Sequence, residues 1–228
     1  KHDKSGLVQV VCGAPNVRAG IFVAWLPPEA VVPETFGGEE FKLDARKLMG
    51  NMSNGMIASL RELDLGDEHD GILEMSAELF GEKLKIGASF ADLYELNDYI
   101  LEVENKSLTH RPDAFGIIGF AREVSGILGQ KFATPNWMVG NGSGNGSANV
   151  KINIENSELC EDYQVAILDV EDVINSSEMT LEKTYLLRSG MRPIGTIVDL
   201  TNYLMLLSGQ PLHAFDYEKL LHVYGDEN

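Results

Sequence analysis

The chain has 228 residues, of which 44% are hydrophobic, 23% charged and 8% aromatic; this excludes a disordered tail and supplies one ordinary core or two small ones. Lys and Arg total 18 against 35 Asp and Glu, a formal charge of −17. That excludes a surface drawing nucleic acid in by long-range attraction, so any RNA contact must be local. No apolar run approaches the roughly 20 residues that span a bilayer, and the opening Lys1-His2-Asp3-Lys4-Ser5-Gly6 lacks the apolar core of a secretory signal. A cytoplasmic setting away from membranes is expected, with Cys12 and Cys160 as reduced, buried thiols outside any C-x-x-C.

In chain order, residues 7–12, 21–25, 41–43 and 47–58 are β-rich runs, followed by 72–75 and 83–86. Gly, Pro, Asn and Asp separate them, and strands this short with turns this frequent predict a small barrel. Asp67-Glu68-His69-Asp70-Gly71 lacks the alternating ligands and distant Glu of a calcium loop, so it reads as an acidic turn and no metal site is expected. Residues 99–103 form one more expected strand. His110-Arg111-Pro112-Asp113 then opens a helix, with Pro112 near its first turn and an acid beside it. Phe115, Ile118, Ala121 and Arg122 carry that helix on to a stop at Gly129.

Residues 139–149 are mostly Gly, Asn and Ser, which cannot bury a core, so a linker is expected there. Past it, residues 151–154 and 163–170 alternate like strands. Ser177 is the expected cap of a helix over 178–188 that ends at Gly190. Pro193 opens another helix running to Ser208, with Ile194, Ile197, Val198, Leu204 and Met205 as one apolar stripe. Gly209-Gln210-Pro211 breaks it. The expected fold is α+β and multi-domain: a barrel over 1–95, a small α/β segment over 96–138, the linker over 139–149 and part of an α+β domain over 150–228.

Thr201 interrupts the apolar stripe, and a hydroxyl there needs a partner. It bonds back to the carbonyl of Ile197 without further function, or it faces a pocket beside the helix. His213 favours the pocket. The seven steps from Thr201 to Ser208 advance ~10 Å at ~1.5 Å per residue, and the five from Ser208 to His213 can reach back ~16 Å at ~3.3 Å each. His213 can therefore lie beside Thr201, although a lone histidine is also a common structural residue. Arg192, at the start of the same helix, is an anion-binding candidate or an ordinary ion-pair arginine. No G-x-x-x-x-G-K-[ST] and no G-x-G-x-x-G occurs, so ATP chemistry finds no support in this stretch.

Three sets of residues resemble one family in the right order. Val11-Cys12-Gly13-Ala14-Pro15-Asn16-Val17-Arg18-Ala19-Gly20, Ser53-Asn54-Gly55-Met56 and Asp70-Gly71-Ile72-Leu73 resemble the oligonucleotide-binding barrel of tRNA-binding domains. His110-Arg111-Pro112-Asp113 and Gly119-Phe120-Ala121-Arg122-Glu123 resemble the segment after that barrel in the large (beta) subunit of phenylalanyl-tRNA synthetase. Gly190-Met191-Arg192-Pro193-Ile194, Val198-Asp199-Leu200-Thr201-Asn202-Tyr203 and Gly209-Gln210-Pro211-Leu212-His213-Ala214-Phe215-Asp216 are similar to the start of that subunit's editing domain.

The resemblance implies a subunit of phenylalanine-tRNA ligase that binds tRNA and hydrolyses tyrosine misattached to the phenylalanine tRNA. Phenylalanine attachment itself falls to the small (alpha) subunit, in a heterotetramer that uses ATP and Mg2+; no cofactor is expected in this stretch. By position, His213 and Thr201 line the editing pocket, with His213 placing water and Thr201 orienting substrate. Arg192 holds the 3′ end of the tRNA, with Asn202 and Gln210 beside it, and Arg18, Lys42, Arg46, Lys47 and Arg61 are the barrel's basic candidates. The family pattern begins earlier and continues past Asn228 to the acid that recognises the tyrosine hydroxyl, so this stretch alone is expected to be inactive in editing. Asn105-Lys106-Ser107-Leu108-Thr109-His110 also departs from the family's commoner short turn. The alternative is a free-standing tRNA-binding or RNA-chaperone module, which has no need of the stretch from Arg192 to Asp216.

Overall fold

A computed structural model describes residues 6–139, 152–170 and 178–224. Of the expected linker over 139–149, Val139 ends the short helix Asn136–Val139 and the rest lies outside the described residues, as does the expected cap Ser177. The chain divides into two compact units, one of Lys1–Glu104 with Ser177–Tyr203, the other of Asn105–Ser176 with Leu204–Asn228. Strands and helices are mixed, as an α+β chain requires.

In the first unit, β1 (Phe22–Val23) pairs antiparallel with β6 (Glu74–Met75), with Phe22 opposite Met75. β2 (Trp25–Leu26) pairs with β5 (Met56–Ile57), and β3 (Ala45–Leu48) with β4 (Asn51–Asn54). Met49 (φ 49°) and Gly50 (φ 83°) turn the last pair. Two successive left-handed residues match the twist of a tight hairpin, and glycine supplies one of them without strain. Backbone bonds from Ala58 to Ala24 and from Leu73 to Ala58, both 2.9 Å, tie the first two ladders together.

Several expected strands are absent from these ladders. Residues 7–12 are held instead by single bonds, Val11 N–H to Ser53 Oγ at 3.0 Å and Asn54 N–H to the Gln9 carbonyl at 2.9 Å. Residues 83–86 carry no strand, because Gly81–Lys83 is a 3-10 turn and the chain turns again at Gly87, where φ is positive. Residues 99–103 and 163–170 carry no strand, and Tyr99, Ile100 and Leu101 are largely exposed. Alternating apolar residues specify a strand only when one face is buried against a partner.

Beneath the ladders, Ala24, Ala58, Leu63, Leu65, Leu73, Phe80, Leu84, Leu93 and Tyr94 form the core, and Met179 joins them from far along the chain. Tyr94 is wholly buried, with Phe80 edge-on to its ring at 4.9 Å and Phe90 tilted against it at 4.7 Å. Its ring contributes to the core, and its buried hydroxyl, without a hydrogen-bond partner among the described residues, offsets part of that gain. Helix Leu181–Arg188 completes this unit, seated by the buried Thr184 and Leu186. It starts three residues later than expected because Thr180 Oγ1 accepts the Lys183 N–H.

In the second unit, Pro112–Ala114 form a 3-10 turn rather than the expected first turn of the helix; Phe115 is extended, and the helix begins at Gly116 and runs to Ile127. Arg111 holds Asp113 through two bonds, of 2.8 and 2.7 Å, and Glu123 through one of 2.9 Å. Helix Tyr217–Tyr224 is capped by Asp216 Oδ1, which accepts the Lys219 N–H at 3.1 Å. Helix Thr196–Ser208 contributes residues to both units. It begins three residues after Pro193, so Ile194 of the expected stripe lies outside it and is 77% exposed; Val198 is 42% exposed, Ile197, Leu204 and Met205 are half-buried, and the buried residue is Asp199, 3% exposed. Cys12 and Cys160 are free thiols, half-buried rather than buried.

Candidate functional site

The predicted site residues of the back half are built on two helices and the span between them. Helix Leu181–Arg188 is fixed at its end by Arg188, which donates to the Glu95 carbonyl at 2.7 Å and lies 4.7 Å over the Tyr185 ring. Tyr185 donates its hydroxyl to Glu95, and that bond is the main reason its pKa is pushed up to about 12. Gly190, with φ 77°, then turns the chain. Gly190 N–H donates to Leu187 at 3.0 Å and Met191 N–H to Leu186 at 2.9 Å, a glycine-terminated helix end.

Arg192 follows at once. Its guanidinium is exposed and pairs with Asp67 of the acidic turn, itself exposed. An exposed pair of this kind is worth little and can be exchanged for another anion. Among the described residues no group of His, Cys, Asp and Glu is placed to hold a metal ion.

Helix Thr196–Ser208 carries Thr201 and Asn202, both half-buried. The Thr201 hydroxyl donates to the carbonyl of Val198 at 2.8 Å, not to the expected Ile197, one residue earlier. Both i−3 and i−4 carbonyls are within reach of a helical threonine. The hydroxyl oxygen keeps its lone pairs for another donor. Tyr203 stacks on Tyr185 at 6.2 Å, which joins the two helices inside the first unit.

Gln210 and His213 belong to the second unit. Gln210 is exposed, and its N–H donates to Ser208 Oγ at 3.2 Å. His213 is exposed, 6.4 Å from the Phe215 ring. Arg192, Thr201 and Asn202 therefore share one unit, Gln210 and His213 the other.

The barrel candidates differ in how free they are. Arg18 grips Glu74 with two bonds of 2.7 Å, Lys42 pairs with Glu29 at 2.7 Å and Arg61 with Glu34 at 2.6 Å. Arg46 and Lys47 lie on β3, exposed and without an ion pair among the described residues. Two surface depressions, one along Asp92, Glu95 and Asp98 and one along Glu34, Asp64 and Asp67, are mainly acidic and hold none of the predicted editing residues.

Two residues outside the predicted set matter here. Asn16 donates to the Ile72 carbonyl at 2.9 Å and to Glu74 at 3.0 Å, and accepts the Ile72 N–H at 3.0 Å. No local pattern announces a bond across 56 residues. Asp199 is the other, and its signal is local, since an acid in a helix's first turn is a capping cue.

Residues 159–226 match the family model of the B3/4 domain. Nearly the whole chain is similar to curated beta subunits of phenylalanine–tRNA ligase. That of Desulfotalea psychrophila is 40% identical over 93% of this chain and 24% of its own length. That of Mesorhizobium japonicum is 38% identical over 96% of this chain and 25% of its own, and that of Oceanobacillus iheyensis 37% over 93% and 25%. The chain spans about a quarter of the length of these relatives. It is homologous, over nearly all its residues, to the beta subunit of phenylalanine–tRNA ligase.

Proposed function

We propose that this chain serves phenylalanine–tRNA ligase as the tRNA-binding front of its large subunit together with the beginning of its proofreading domain. The observation that carries this reading is the B3/4 match over 159–226, which encloses Arg192, Thr201, Asn202, Gln210 and His213 within a chain-long similarity to ligase beta subunits. In this reading, residues 1–95 fold as an oligonucleotide-binding barrel. The small subunit attaches phenylalanine with ATP and Mg2+, in the cytoplasm.

A pocket for phenylalanine must reject tyrosine by one hydroxyl, and errors that escape it call for a second, hydrolytic site. Ester hydrolysis needs a placed water and donors toward the oxygen that gains charge. His213 holds the water. Thr201, whose proton is committed to the Val198 carbonyl, offers its lone pairs to a substrate N–H or O–H and so orients the aminoacyl group. Arg192 exchanges Asp67 for a phosphate near the tRNA end.

The test is His213→Ala in the complete synthetase. Tyr-tRNA(Phe) deacylation is expected to fall about 10²-fold or more while phenylalanine attachment stays unchanged. Undiminished deacylation would remove His213 from the site and the editing role with it.

A further inference from the structure

Asp199 is the one charged residue among the buried side chains of the described core. A buried carboxyl group is costly unless hydrogen bonds compensate it. Its Oδ1 accepts the backbone N–H of Ile194 at 2.8 Å and of Gly195 at 3.4 Å, while its own N–H donates to the Gly195 carbonyl at 2.8 Å. The first two are one half of a capping box, a side chain reaching back to the amides before the helix, and the third is the helix's first backbone bond. Its Oδ2 is buried without a partner. A helix cap needs no such burial, because exposed Ser, Thr or Asp side chains cap as well.

Its place in the chain suggests what the burial is for. Arg192 stands on a short span whose two ends are pinned. Upstream, Gly190 and Met191 are tied to helix Leu181–Arg188. Downstream, Ile194 and Gly195 are tied by Asp199 to helix Thr196–Ser208. Pro193, between them, has its φ fixed by its ring. The backbone of Arg192 is thereby held in register with the helix that carries Thr201 and Asn202.

We propose that Asp199 is a positioning residue of the editing site, acting through Arg192 by holding the Ile194–Gly195 amides. This rests on the reading of Arg192 as a contact to the tRNA end. An Arg192 mispositioned by loss of this clamp loses its phosphate, which weakens binding without touching the chemical step.

The experiment is a double-mutant cycle on Tyr-tRNA(Phe) deacylation in the complete synthetase. Arg192→Ala is expected to raise KM roughly tenfold with kcat unchanged, and to make the salt dependence of tRNA binding shallower by about 0.7 in log–log slope. Asp199→Ala is expected to reproduce both changes, and the double variant to be no worse than Arg192→Ala alone. Asp199→Asn keeps the accepting oxygen and is expected to restore KM. If Asp199→Ala does not fold, Asp199→Ser, too short to span both amides, takes its place.

If Arg192→Ala raises KM while the Asp199 effects are absent or simply additive, the positioning role is overturned and the proposed function stands. The positioning role is equally overturned if Asp199→Asn is as impaired as Asp199→Ala. If Arg192→Ala itself changes nothing, both the RNA contact and the positioning role fall, whereas the His213 test still decides the editing reading separately.

Discussion

At the scale of single residues, the segment between Asn16 and Arg18 is a latch. Asn16 closes on both backbone groups of Ile72, and Arg18 closes on Glu74, so the family-like stretch near Cys12 is spent first on holding β6 in place. The bond from Arg18 is the main cause that holds the Glu74 carboxyl below the usual carboxylate range; Asn16 adds to it, while partial desolvation opposes. Asp113 beside Arg111 and Glu29 beside Lys42 are lowered in the same sense. A carboxyl group whose folded value is depressed stabilises the fold above its unfolded value, and that contribution is lost as pH falls through the folded one. Stability measured by urea unfolding should therefore decline from the ordinary carboxylate range downward. Glu74→Gln should be less stable than the parent at neutral pH and lose less on acidification. An unchanged acid slope in Glu74→Gln would mean that Glu74 ionises alike in the folded and unfolded chain.

At the scale of elements, helices were legible wherever their ends are written locally. Gly129 and Gly190 announced two exits, whereas Pro112 with Asp113 marked a 3-10 turn that ends before helix Gly116–Ile127 begins. Strands were less legible, because a ladder depends on a partner tens of residues away. The run 47–58 reads as one β-rich stretch, yet Gly50 and Gly55, with φ of 83° and 85°, break it between β3, β4 and β5. Equally illegible was the close approach of Gly116 to Gly209, each with positive φ. A Cβ on Gly116 would lie 2.6 Å from the carbonyl carbon of Ser208, and one on Gly209 2.8 Å from the carbonyl oxygen of Phe115. Gly116→Ala should cost about 2–4 kcal/mol, from left-handed strain plus overpacking. Gly126→Ala, in the same helix with open space around it, should instead be neutral or stabilising by up to about 1 kcal/mol. Thermal unfolding of the two variants checks this, and equal effects would show that the Gly116–Gly209 approach is not a constraint.

At the scale of the whole molecule, the charge of −17 visible in the composition is also the pattern of the surface. Arg18, Lys42, Arg61 and Arg192 each face a carboxylate, so four of the basic candidates are neutralised where they stand. No local pattern foretells this, because the pairs Arg18–Glu74 and Arg61–Glu34 close across 56 and 27 residues. Arg46 and Lys47 on β3 stand apart from these pairs, and adjacent strand residues point to opposite faces, so one phosphate track does not meet both squarely. The chain by itself should therefore bind phenylalanine tRNA weakly. If its binding neutralises two phosphates or fewer, the log–log salt slope should lie no steeper than about −1.4 to −1.8. Arg46→Glu with Lys47→Glu should abolish what binding there is. Fluorescence titration of labelled tRNA across a range of salt concentrations reads both quantities. A steeper slope would mean that Glu74, Glu29, Glu34 or Asp67 yields its cation to phosphate on binding, and the ion pairs would then be a reserve that tRNA draws out rather than a barrier against it.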